Sequence, residues 1–128
     1  MVGLRLSGVP DYVRCNRAAV LEMHRQMGDL ELDDRGVARR GLLVRHLVLP
    51  GGLAGTAEVA KFIATEISPD TYINVMDQYR PEHKVLRGAS FCLEGCETLG
   101  RQLGADEFLA AVQAVRAAGL WRLDGLVL

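Results

Sequence analysis

Gly41-Leu42-Leu43-Val44-Arg45-His46-Leu47-Val48-Leu49-Pro50-Gly51-Gly52 is a nearly unbroken apolar run that stops in a Pro-Gly-Gly turn. A run of this length between turn formers reads as a strand. Its continuity, without polar alternation, reads as burial on both faces, the habit of parallel sheets. Arg45 and His46 interrupt it at the centre. Successive strand residues face opposite sides, so one of the pair points into each layer. A charge without a partner in such a layer is costly. A neighbouring carboxylate, a ligand or a wet cavity must therefore meet it, and the sequence leaves that choice open.

The chain after this run completes a unit. Thr56 reads as the N-cap of a helix through about Ile67, with Glu58 in its first turn and Val59, Phe62, Ile63 and Ile67 facing inward. Ser68-Pro69-Asp70 stops it, and Thr71-Tyr72-Ile73-Asn74-Val75-Met76 follows as a second strand. Strand, helix, strand predicts a right-handed crossover between adjacent parallel strands. Ile73 and Val75 suit a helix layer. Tyr72, Asn74, Met76 and Gln78 share the other face, which is mixed and polar. Sites in α/β proteins lie beyond the carboxyl ends of strands, here Pro50-Gly51-Gly52 and Asp77-Gln78-Tyr79-Arg80-Pro81. The Gly-rich turn is a place where a ligand can approach backbone, although such turns commonly serve geometry alone.

Upstream, Asp29 to Arg40 reads as a small hairpin around Asp33-Asp34-Arg35-Gly36, whose aspartates suit turn bonding better than metal ligation. Asn16 is the expected N-cap of a helix to Met27, with Ala19, Val20, Met23 and Met27 inward and Gly28 ending it. Residues 1–14 show no period and read as an irregular lead-in. Downstream, residues 82–104 give no clear element. Asp106 to Ala118 predicts an amphipathic helix with Phe108, Leu109, Val112 and Val115 inward. Leu120 to Leu123 reads as a short final strand, with Trp121 as a packing residue.

At 128 residues the chain supports a single domain, and 49% hydrophobic with 24% charged residues is the composition of a soluble globular protein. A net charge of -1 gives no electrostatic case for nucleic acid or an anionic membrane. No run is long enough to span a bilayer and no signal-peptide pattern opens the chain, so the expected compartment is the cytoplasm. Cys15, Cys92 and Cys96 form no disulfide framework. The lone C-x3-C at Cys92/Cys96 cannot complete a zinc or iron–sulfur site, His83 is too isolated to help, and these thiols read as structural or incidental.

Three segments together resemble a known family. They are Arg17 to Gln26, Gly41 to Gly52 and Thr71 to Pro81, the last two carrying V-R-H-L-V-L-P-G and Y-R-P. They look like radical-SAM proteins of the branch related to pyruvate formate-lyase activating enzymes, over about Leu6 to Gly125 and most weakly between Glu82 and Arg101. The resemblance implies an α/β fold, the C-terminal portion of a (βα) partial TIM-type barrel with parallel strands and a small β-hairpin insertion. Residues 42–49 would be its fifth strand and 71–76 its sixth.

That family holds a [4Fe–4S] cluster on a C-x3-C-x2-C loop and cleaves S-adenosylmethionine to a radical that abstracts hydrogen from substrate. By this resemblance Arg45, Val48, Pro50, Gly51, Asn74, Met76 and Tyr79 lie beside S-adenosylmethionine. The cysteine loop and the first four strands are absent from this chain, which falls short of the roughly 200 residues of a small barrel. It implies a fragment or split part, inactive alone and without a cofactor of its own. Its partner would be a cluster-bearing N-terminal half, or further copies joined through exposed sheet edges. A non-catalytic α/β binding or interaction module derived from the scaffold is the alternative.

Overall fold

A computed structural model describes residues 2–82, 85 and 97–124. It is a mixed α/β fold with one parallel strand pair and one antiparallel hairpin. The elements in order are helices α1 (Val2–Ser7) and α2 (Tyr12–Met27), and strands β1 (Glu31–Leu32), β2 (Ala38–Arg40) and β3 (Leu43–Leu47). Helix α3 (Thr56–Phe62), strand β4 (Tyr72–Met76) and helix α4 (Ala105–Ala117) follow.

The central strand–helix–strand unit forms as expected. Strands β3 and β4 pair in parallel with Leu43 opposite Tyr72, Arg45 opposite Asn74 and Leu47 opposite Met76. Helix α3 crosses between them and runs on through a π-turn over Ile63–Ile67, where Ser68 N–H donates to Ile63 O at 2.9 Å. Thr56 is not the cap. Gly55 holds that place in a left-handed conformation, φ 61°, and the Thr56 hydroxyl instead meets His46 Nε2 at 2.9 Å.

Burial corrects the reading of the 42–49 run. Val44, His46 and Val48 face the helices, whereas Leu43 and Leu47 are 43% and 36% exposed and Arg45 is also exposed. Among the described residues the strand is covered on one face, by α3 and α4, and open on the other. The core lies between that covered face and the two helices. Ile73, Val112, Val115, Ala60, Ile63 and Leu120 are essentially without solvent contact. Leu109 departs from its expected inward place at 42% exposure, because the α4 face that packs is centred on Ala111, Val112 and Val115.

The hairpin forms around Asp33, which accepts from Arg35 N–H and Val37 N–H at 2.9 Å each and pairs with Arg39. These local bonds hold the Asp33 carboxyl below its ordinary pKa, the Val37 amide contributing most. Gly41 follows at φ 108°, and a side chain there would strike the Asp29 carbonyl. This close approach explains why the strand starts behind a glycine.

The N-terminal region departs most from expectation. Residues 2–7 are helical, closed by Gly8 N–H donating to Leu4 O at 2.8 Å. Helix α2 begins at Tyr12, one turn before the expected Asn16 cap, and no residue of it is buried. Met23 and Met27 stand 53% and 45% exposed. The helix is held by polar contacts: His24 Nε2 meets Asp29 at 2.8 Å, Ser68 donates to the same carboxylate at 3.0 Å, and the Arg17 guanidinium lies 4.7 Å above the Phe62 ring.

Residues 120–124 form a single bridge, Ile73 to Leu123, rather than a strand. Trp121 is 68% exposed, its indole N–H donating to Asp70 at 2.8 Å. Cys92, Cys96 and His83 lie outside the described residues. No helix among the described residues is long and apolar enough to cross a membrane.

This core predicts two contrasting mutants. Ile73→Ala removes a side chain with no solvent contact beneath two helices and should cost about 2–5 kcal/mol in urea unfolding. Met23→Ala, on the bare face of α2, should change stability by about 0.5 kcal/mol or less.

Candidate functional site

The open face of the sheet gathers the chemistry-bearing side chains. Alternation along β3 turns Leu43, Arg45 and Leu47 to it, and the register brings Tyr72, Asn74 and Met76 beside them. Arg45 Nη2 lies 3.1 Å from the Met76 thioether, a weak acceptor. Among the described residues no carboxylate forms an ion pair with it. At the other margin Asp124 accepts from Asn74 Nδ2 and from the Tyr72 hydroxyl, both at 3.3 Å. Desolvation and then the nearby Asp124 charge push the Tyr72 hydroxyl up from its ordinary pKa. The Arg122 guanidinium lies 5.4 Å above the Tyr72 ring and donates to Leu30 O at 2.8 Å.

Cation, amide and carboxylate therefore stand in one row across the sheet. The row can hold a polar ligand or surface by a charged bond at one end and an acceptor at the other.

The seven residues carried over by resemblance separate into three places. Arg45, Asn74 and Met76 share the open face. Val48 is buried against the helices and Pro50 is buried at the strand end, so neither side chain reaches that face. Gly51 and Tyr79 sit under a 3-10 turn, Glu97–Gly100, which folds over the carboxyl end of the strands. Gly51 N–H donates to Glu107 at 3.0 Å, Thr98 Oγ1 donates to Pro50 O at 3.1 Å, and the Tyr79 hydroxyl donates to Leu99 O at 2.8 Å. Gly51 has φ 73°, and a side chain there would strike Thr98.

Glu107 is the hub of this closure. It takes both Arg101 nitrogens at 2.7 and 2.8 Å and Gly104 N–H at 2.8 Å, in addition to Gly51. These donors, Arg101 foremost, hold its carboxyl far below the usual range. The backbone amide that an anion would seek at Gly51 is thus taken by a carboxylate of the chain itself.

Sequence reasoning missed Glu107, Arg101 and Asp124. Glu107 had a signal, standing three residues after Gly104 at the start of α4, the spacing at which a side chain reaches back to the preceding amide. Asp124 had none, because it meets Asn74 across 50 positions of sequence. A groove of about 920 Å³ lies elsewhere, between α1–α2 and the α3–α4 layer, with Tyr12, Val13, Arg17, Thr56, Ala111 and Ala114 in its wall. Of the seven candidates only Val48 lines it, and Asn16, Arg17, Glu58 and Glu107 bring polar and charged groups to its wall. What marks the open face is the register that sets a cation, an amide and a carboxylate in one row. Among the described residues no cluster of three or more His, Cys, Asp or Glu could hold a metal ion.

His46 sits on the opposite, helix-covered side, and desolvation lowers its pKa below the ordinary value. The sign follows from linkage: the unfolded chain takes the proton first, so stability falls as pH drops through about 6.5 toward the folded pKa. Thermal melts should therefore show the wild type losing stability between pH ~7 and ~5 relative to His46→Gln, which cannot titrate. Parallel curves would mean that burial of His46 has no thermodynamic consequence.

No family model, no curated protein and no solved structure matches the chain.

Proposed function

We propose that this chain is the C-terminal part of a radical-SAM partial barrel of the branch related to pyruvate formate-lyase activating enzymes. It supplies S-adenosylmethionine- and substrate-side strands to a cluster-bearing N-terminal half and is inactive alone. The observation that supports this reading is the one-sided βαβ unit, whose uncovered face carries Arg45, Asn74 and Met76. In a barrel of parallel strands the helix-covered face is the outside and the uncovered face the lumen.

The free edge of β3 fits the same reading. Val48 N–H donates to Met76 O at 3.0 Å, so alternation turns the Leu43, Arg45 and Leu47 amides away from β4. Those amides make no backbone bond outside the β3–β4 ladder among the described residues. A further parallel strand would satisfy them.

The residues fit the two cofactors unequally. Arg45 and Asn74 offer donors that suit the carboxylate and polar edges of S-adenosylmethionine, so these are the side chains that would face it. S-adenosylmethionine supplies the radical chemistry in that family. The cluster does not fit this chain, because C-x3-C-x2-C is absent and Cys15 stands exposed on α2. No step of the chemistry is assigned to these residues beyond binding and orienting.

A second reading, a non-catalytic binding module, is favoured by the Glu107 closure. It fills the strand-end amide that a ligand would otherwise use.

Arg45→Leu tests the first reading. In the isolated chain it exchanges an exposed charge for apolar volume and should shift stability by about 0.5 kcal/mol or less. In a complex assembled with a cluster-bearing half, it should weaken S-adenosylmethionine binding by about 1–3 kcal/mol, the range for a lost charged hydrogen bond. Calorimetric titration of the complex reads the second number. Unchanged cofactor affinity with a destabilised isolated chain would make Arg45 a structural residue and remove the proposal's main support.

A further inference from the structure

The open sheet face carries Arg45 at one margin and Asp124 at the other, with the Arg122 guanidinium over the Tyr72 ring one row away from Asp124. Arg45 is in register with Asn74, and Asn74 donates to Asp124. Two inter-strand spacings put the Arg45 and Asp124 backbones about 10 Å apart, with the amide midway. Among the described residues neither charge forms an ion pair. Arg45 has a thioether at 3.1 Å, and Asp124 accepts two bonds of 3.3 Å. Leu43 and Leu47 stand beside the row with large exposed apolar surface.

We infer that this face packs against the same face of a second copy of the chain, about a two-fold axis that runs along β4 in the plane of the interface. Charge selects that axis. Rotation about it exchanges the two margins, so Arg45 of each copy comes over Asp124 of the other, twice by symmetry. The alternative in-plane axis, across the strands, stacks Arg45 on Arg45 and sets like charge against like. On the selected axis Asn74 meets Asn74, whose amides can exchange hydrogen bonds. Met76 meets Met76, a flexible thioether that adapts to an imperfect fit.

The face is only one short strand pair and its bridged neighbour. The contact therefore belongs to the small, readily exchanging class below about 1,200 Å² in total. The inference does not depend on the barrel reading. If that reading also holds, the dimer covers the face that a completing half would occupy, and the two assemblies compete.

Sedimentation of the full chain over a concentration series tests it, with no cofactor present. The wild type should show a reversible monomer–dimer equilibrium. Arg45→Asp and Asp124→Arg should each weaken it by roughly tenfold or more, and the double charge exchange should restore it to within a few-fold. Circular dichroism checks that each variant folds. For the wild type itself, an isotope-filtered Overhauser effect between Met76 methyls of differently labelled copies should appear, and it decides the matter if a variant does not fold. A monomer at every concentration, a dimer indifferent to both single reversals, or absence of the Met76 contact would each overturn the inference.

Discussion

Everything in this structure depends on the parallel pairing of β3 with β4 and on its being covered from one side. The ladder puts Val44, His46 and Val48 next to Ile73 and Val75, an apolar floor on which α3 and α4 rest. Parallel strands need a crossover, and the crossover here is also the cover, so one segment meets the topological and the hydrophobic requirement together. A second layer of helices would have made the other face apolar. Among the described residues no helix covers it, and that face keeps Arg45, Asn74 and Asp124 at little desolvation cost.

His24 and His46 show how position divides similar groups. His46 faces the helices, meets Thr56 and is held toward its neutral form by burial. His24 lies at the end of α2 and meets Asp29, a carboxylate that Ser68 also binds. The first belongs to the core. The second belongs to a polar joint between α2 and the turn that precedes β4, which explains how a helix with no buried residue keeps its place.

The carboxyl end of the sheet is closed by the chain's own groups. Glu107, Arg101, Thr98 and Tyr79 bring the 97–104 segment down onto the Pro50–Gly52 turn, and Gly51 is the residue that lets Thr98 approach. The open face, away from that closure, is where both the ligand proposal and the self-association proposal converge. They share one physical cause: a cation and an anion on an uncovered surface, each with weak partners.

Local pattern determined much of this. The 41–52 run, the Thr56–Ile67 segment and the 71–76 alternation specify strand, helix and strand, and chain connectivity then requires a parallel pair. Asp33 and Gly36 specify the hairpin, and the 3.6-residue period specifies α4. What pattern could not carry was what lies opposite. Whether the 42–49 run is covered on one face or two depends on which elements exist elsewhere in the fold, and so does whether Met23, Leu109 and Trp121 are inside. The amide of Gly51 and the side chain of Asn74 found their partners in Glu107 and Asp124, 56 and 50 positions away. Periodicity reports a residue's direction from its own backbone. Only the tertiary structure decides what stands in that direction, because that is a property of distant segments brought together by the core.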